Sequence, residues 1–212
     1  TLPELDNLPD SVLLAGLNSN SPSIMDDPML ALRTFSEDCY IKKGQYWFAV
    51  GAKGKIAEAI DAQAVIYVKF SNDSFTLGLL GLASVGLPRD KPLSFIELAL
   101  NARYDSEKNQ FLLEAGLTDA SWILDTNCRL TGGFALSMWF NTGEFLLSVG
   151  GYHPQFQKPS YYPAVNRVGF SWLVSSKLQM KGGTYFTLCS SAVMVGAGFE
   201  LTYQSGKLSA YL

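Results

Sequence analysis

Hydrophobic residues alternate with polar or small ones along most of the chain from Tyr46 onward. This period of two is typical of β-strands, whose successive side chains point to opposite faces of a sheet. In the segment 96–104 every second residue is apolar, and Glu97, Asn101 and Arg103 lie between them. The alternation predicts about eleven strands joined mostly by short turns, with apolar rows facing a core and polar rows facing water. We therefore expect an all-β fold, an antiparallel meander that is either a curved open sheet or barrel-like.

Residues 1–45 lack this alternation. Prolines interrupt short apolar pieces there, and Pro28 follows two aspartates, either of which can cap the start of a helix. We expect one or two short helices in this N-terminal arm, which either packs on the domain as an extension or serves for docking. Residues 46–212 then form one antiparallel β domain, since all-β domains often reach this size.

In the second half of the chain, the strand face opposite the large side chains carries small residues. They are Ala135, Ser137, Ser148, Gly150, Gly169, Ser171, Gly183, Gly196 and Gly198. Small residues let another group approach the backbone closely. This face is therefore either a floor for an apolar ligand or a second sheet, or a use of glycine for sheet curvature and bulges.

The segment 151–166, GYHPQFQKPSYYPAVN, is longer than a hairpin needs and contains three prolines. We interpret this aromatic excursion either as a lid or recognition loop, or as a plug that closes one end of the core. Together with two tryptophans on neighbouring strands, it supplies the residues that we expect to line an apolar groove. These are Trp139, Tyr152, His153, Phe156, Tyr161, Tyr162 and Trp172.

The composition narrows the classes of partner. Of the 212 residues 48% are hydrophobic and 17% are charged, and the mean hydropathy is +0.11. Charged residues fall below the usual quarter, so we expect more surface to be hidden than in a compact monomer, against neighbouring sequence, a partner or an apolar ligand. The net charge of −3 and the absence of long basic runs argue against nucleic acid.

The chain has no run of about 18 apolar residues, which a spanning helix needs. Its first residues, TLPELDNLPDSVLLAGL, contain acids where a signal peptide needs positive charge. Three scattered cysteines, Cys39, Cys128 and Cys189, favour reduced thiols and a cytoplasmic location. A membrane-inserting β-sheet is an alternative, but polar rows that include Lys69 and Glu114 make it less favoured.

The sequence offers little for catalysis. His153 is the sole histidine, and the chain has neither a GxSxG nucleophile motif nor a metal-ligand spacing. We therefore predict no enzyme activity, no cofactor and no metal site. The alternative is a carbohydrate-active hydrolase, which needs only a pair of acids. Its candidate residues are Glu97, Glu114, Glu144, and the pair Asp119 and Asp125 beside Trp122.

Several stretches resemble a block from a family of large uncharacterised β-rich proteins of bacteria and fungi. They include LTGGFALSMWF, GEFLLSVGGYHPQF, YYPAVNRVGFSW and KGGTYFTLCSSAVMVGAGFELTYQSGKLSAYL. The resemblance covers about residues 46–212, and residues 1–45 show none. It implies no transferable activity, and it implies that the strand pattern continues beyond this chain, which itself starts without methionine and stops within an apolar strand.

The sequence thus favours a non-catalytic binding or structural β module that is a segment of a larger β assembly. We expect it to hold a lipid-like molecule or to pack against further β sequence, from a longer chain or from another copy.

Overall fold

The computed structural model describes residues 14, 44–205 and 208–210, and it confirms the all-β fold. Thirteen strand segments form one antiparallel sheet. They are β1 Tyr46–Ile56, β2 Ile60–Phe70, β3 Phe75–Leu87, β4 Ser94–Asp105, β5 Gln110–Leu117, β6 Trp122–Ile123, β7 Asp125–Thr131, β8 Gly133–Trp139, β9 Glu144–Val149, β10 Val168–Ser175, β11 Leu178–Cys189, β12 Ala192–Ser205 and β13 Leu208–Ala210. The short helices expected around Pro28 lie outside the described residues, whereas Leu14 is helical.

Segments β5 and β6 act as one strand. Leu117 pairs with Leu98 of β4, and Trp122 pairs with Phe95 on the same edge, so residues 118–121 form a wide bulge between them. The Ser121 hydroxyl closes this gap, since it accepts a hydrogen bond from the Glu97 N–H at 2.9 Å and donates to the Glu97 carbonyl at 3.1 Å. A buried side chain therefore replaces the backbone pairing that the bulge interrupts.

Segments β9 and β10 also continue one another, although the excursion separates them. Val149 pairs with Phe134 and Gly169 pairs with Thr131, so three steps along β7 and β8 correspond to twenty steps along β9 and β10. On the other side Phe186 pairs with Val149 and Thr184 pairs with Val168, so β9 and β10 again contain seventeen residues more than the strand beside them. The excursion thus leaves the sheet, and the ladder closes beneath it.

Segments β7 and β8 form a third composite strand, interrupted only at Gly132. Because three pairs share a position, the thirteen segments occupy ten consecutive positions, and the predicted meander is confirmed. In the described residues β1 pairs only with β2, and β13 pairs only with β12. The sheet is therefore open.

The pairing register assigns the strand residues to two faces. One row across nine strands contains only aliphatic side chains, and we call its side the apolar face: Val50, Ile66, Leu79, Ala102, Leu113, Leu136, Leu147, Leu188 and Val193. The next row points to the other side, which we call the mixed face: Gly51, Val65, Leu80, Asn101, Glu114, Ala135, Ser148, Thr187 and Met194. The small residues predicted on the strands of the second half lie on this mixed face.

The buried residues lie mainly on the mixed face, contrary to the expectation that the apolar rows face a core. In the hairpin of β4 and β5, Asn101 on the mixed face is 7% exposed, whereas Leu98 on the apolar face is 37% exposed. One contribution comes from Leu14, which is completely buried in a cluster with Val65, Leu80 and Ala99 on the mixed face of β2 to β4.

Two cross-strand pairs of tyrosine and glycine recur on the mixed face. Tyr67 pairs with Gly78 and Tyr185 pairs with Gly196, and a Cβ atom at either glycine would overlap the tyrosine ring. Glycine lets the ring lie across the neighbouring strand. Burial raises the pKa of Tyr67, although the charge of Arg103 acts in the opposite direction.

Candidate functional site

The aromatic excursion packs on the mixed face of β8, β9 and β11. Tyr162 is buried, stacks on Trp139 with ring centroids 5.4 Å apart, and belongs to a core cluster with Leu146. Tyr152 stacks on Phe156 at 5.9 Å in the same cluster. The excursion therefore packs on one face of the sheet, and we call the cluster of its rings with Trp139 and Leu146 the plug.

Glu144 fixes the outer end of the plug. Its carboxylate accepts hydrogen bonds from the hydroxyl of Tyr162 at 2.6 Å and from that of Tyr161 at 3.0 and 3.1 Å. The hydrogen bond to Glu144 is the main cause that raises the pKa of Tyr161. The pKa of Tyr162 is also raised, mainly by burial and next by the same carboxylate. Glu144, named above as a possible catalytic acid, thus anchors two aromatic side chains.

Polar contacts tie the rest of the excursion to itself and to the sheet. The Tyr152 hydroxyl donates to the Pro163 carbonyl at 2.9 Å, and Lys158 Nζ donates to the Tyr162 carbonyl at 2.7 Å. At the base, the Thr187 hydroxyl donates to the Gly151 carbonyl at 2.7 Å. Burial is the main cause that raises the pKa of Tyr152. The excursion is therefore a folded cap with internal bonds.

Not all seven residues predicted for the groove come together. Trp139, Tyr152, Phe156, Tyr161 and Tyr162 form the plug cluster. His153 lies beside it, 6.2 Å from the ring of Tyr185, and its Nδ1 accepts a hydrogen bond from the Gln155 N–H at 3.1 Å. Trp172 pairs with Met180 and Cys128, and this register places it on the apolar face, across the sheet from the other six.

A shallow cleft of about 610 Å³ adjoins the plug, where part of the small-residue floor remains open. Gly183, Gly196 and Gly198 form its floor, and its walls include His153, Arg167, Lys181, Tyr185 and Glu200. The Arg167 guanidinium lies 4.1 Å from the centre of the Tyr185 ring and donates through Nη2 to the Tyr152 carbonyl at 2.9 Å. The sequence analysis missed this arginine, whose only signal was its position at the end of the excursion.

Glu97 and Glu114 lie on the same face of their hairpin but far apart along it. The Thr118 N–H donates to the Glu97 carbonyl, so Glu97 lies opposite Thr118, four residues beyond Glu114. At the rise of a strand their backbones are about 13 Å apart along the strand. Asp125 accepts a hydrogen bond from the Asn127 N–H and shapes a turn.

No cluster of three His, Cys, Asp or Glu side chains suited to a metal ion occurs in the part of the chain that the structure describes. The same residues contain no helix long and apolar enough to span a membrane.

The apolar face is an extended surface that crosses the sheet from β1 to β12. From β1 to β5 and from β8 to β12, its paired positions contain no charged residue, because the charged side chains of these strands point to the mixed face. Several of its large side chains are exposed, such as Val195 at 73%, Ile66 at 53% and Phe186 at 42%. Monomers rarely expose contiguous apolar patches beyond about 300–600 Å².

The total accessible surface is larger than that of a compact monomer. The chain exposes 13726 Å², whereas a compact monomer of its mass exposes about 9,700 Å². The sequence analysis expected the apolar rows to face a core and did not predict that their large side chains would be exposed. The sequence did contain one sign of this face, since alternate positions of these strands contain no charged residue.

These features define the class of the protein: an all-β protein built from one open antiparallel sheet. In the part of the chain that the structure describes, the excursion caps one face, and large apolar side chains of the other face are exposed. The chain belongs to a family of unknown function, DUF6603, whose model matches residues 1–212. The match includes residues 1–45, for which the sequence showed no resemblance. No curated protein matches the chain.

Proposed function

We propose that this protein is a non-catalytic binding and structural module whose apolar face packs against an apolar partner. The observation that carries this proposal is the charge-free apolar face, with side chains such as Val195 and Ile66 exposed. Burying apolar surface is favourable by about 25 cal/mol per Å². A partner that covers this face would therefore gain a large free energy of association without removing a charge from water.

The contacts on the mixed face also support the proposal that the partner binds the apolar face. On the mixed face the aromatic side chains of the plug pack against one another, and Glu144 accepts hydrogen bonds from two of them. The partner would be further β structure, as the resemblance implies, or lipid-like molecules. Both classes present apolar groups without charge.

The test is native mass spectrometry of the purified chain, with solvent extraction of the same sample. We expect wild-type protein to carry added mass, either another polypeptide or an extractable apolar molecule. The double variant Ile66→Lys/Val195→Lys places two charges on exposed positions of the apolar face and should lose this mass.

The control is Asn72→Lys, which adds one lysine in the exposed turn between β2 and β3. It should retain the added mass. A bare single-chain mass for the wild type, together with no uptake of an apolar dye, would show that the face needs no partner.

A further inference from the structure

We propose that the partner of the apolar face is a second copy of this chain, bound face to face as a two-layered β-sandwich. This inference rests on the proposed function and names its partner. Two sheets that pack in this way lie about 10 Å apart, with their strands within about 30° of each other.

The area of the face meets what a stable dimer needs. The aliphatic row from Val50 to Val193 crosses eight strand spacings, which makes it about 38 Å long. Five such rows, from the row of Phe48 to that of Ile56, extend about 27 Å along the strands. The product, about 1,000 Å², exceeds the roughly 800 Å² that each partner of a standard interface buries.

The charge pattern suits a self-complementary contact. In a two-fold dimer the same patch lies on both sides, so any charge on it would be buried against the apolar patch of the other copy. The apolar face avoids this cost, since the charged residues of its strands point to the mixed face, as Lys181 and Glu200 do. A second copy therefore meets no uncompensated buried charge.

One row of the face indicates how the copies are oriented. The row begins with small residues on β1 to β3 and ends with large ones on β8 to β12: Ala52, Ala64, Gly81, Leu100, Ala115, Phe134, Val149, Phe186 and Val195. A two-fold axis parallel to the strands places the small end of one copy over the large end of the other. Large side chains then fill the space left by small ones, as dense packing requires.

Other occupants fit less well. An anionic membrane surface attracts basic segments, and this chain has a net charge of −3. A small apolar molecule is normally enclosed over about 70–90% of its surface, which a single open face does not provide. A second copy does not depend on basic segments, and it supplies the opposite wall that a single open face lacks.

The first test is the mass of the full chain in solution by light scattering and sedimentation, at several concentrations. We expect a dimer without extractable lipid, and we expect Val195→Lys to weaken it at least about tenfold because an unpaired charge becomes buried. Asn72→Lys should leave the dimer unchanged. If Val195→Lys leaves the affinity of the dimer as unchanged as Asn72→Lys does, the interface lies elsewhere and the inference is overturned.

The second test is the orientation. Position 52 of one copy should lie near position 195 of the other, so in the double variant Ala52→Cys/Val195→Cys a bismaleimide that spans about 10 Å should link the two copies. Within one copy these positions lie at opposite ends of the row. Either single variant should stay at the wild-type background from the natural cysteines. Self-linkage of Ala52→Cys alone would overturn the proposed axis.

The outcomes also separate this inference from the proposed function. A monomer that carries an extractable apolar molecule overturns the second copy but leaves the apolar partner standing. A bare monomer that takes up no apolar dye overturns both.

Discussion

The more polar face of the sheet is the more deeply buried one, and the more hydrophobic face is the more exposed. Leu146 on the mixed face is fully buried in the plug cluster, whereas Val195 on the uniformly apolar face is 73% exposed. Leu14 and the excursion both pack on the mixed face. The comparison shows that burial depends on which face another segment covers. The exposure of the apolar face is the reason for our proposal that a partner covers it.

The largest effect should come from emptying the plug cluster. Leu146→Ala removes a fully buried side chain between Tyr162 and Cys189, and such changes cost about 2–5 kcal/mol of unfolding free energy. Val195→Ala on the apolar face should cost less than about 0.5 kcal/mol in the monomer, because exposed side chains contribute little. Denaturant unfolding at low protein concentration measures both, and equal losses would contradict the difference between the faces.

A similar loss should follow at the other end of the mixed face. Leu14→Ala removes the completely buried side chain that contacts Val65 and Leu80, and we expect a loss of about 2–4 kcal/mol. The same denaturant experiment measures it. An unchanged midpoint would show that the arm does not contribute to the folded sheet.

A smaller effect should come from the bulge between β5 and β6. Ser121→Ala removes the hydroxyl that bonds both backbone groups of Glu97, and an unsatisfied buried backbone group costs about 1–3 kcal/mol. Ser160→Ala, at an exposed position of the excursion, is the matched control. Thermal unfolding that treats the two variants alike would contradict the role of this hydroxyl.

The smallest effect concerns pH. The pKa values of Tyr161 and Tyr162 are raised above 10.0 in the fold, so the stability they contribute is complete below that pH and is lost as pH rises through the folded values. Glu144→Gln keeps an acceptor but removes the charge, which should lower the pKa of Tyr161 toward its ordinary value. Ultraviolet titration of tyrosinate checks this shift. An unchanged titration would show that the carboxylate does not hold the hydroxyl protons.

Much of the plug could be predicted from the sequence, because the aromatic residues and prolines that lie close together in 151–166 are unfavourable in water and pack against other residues. The separation of Trp172 from the other groove residues could not. It follows from the register of β10 with β7 and β11, which places Trp172 beside Cys128 and Met180.

The sequence by itself determined the strands and the membership of each face, since alternation with a period of two is a local property. It determined, for example, that Ile96, Leu98 and Leu100 share one side. Only the tertiary structure decided that β9 and β10 continue one strand across the eighteen residues 150–167, and that Leu14 is buried on the mixed face. These are contacts between residues far apart in the chain, and the alternation of side chains carries no information about which distant segment returns to which face.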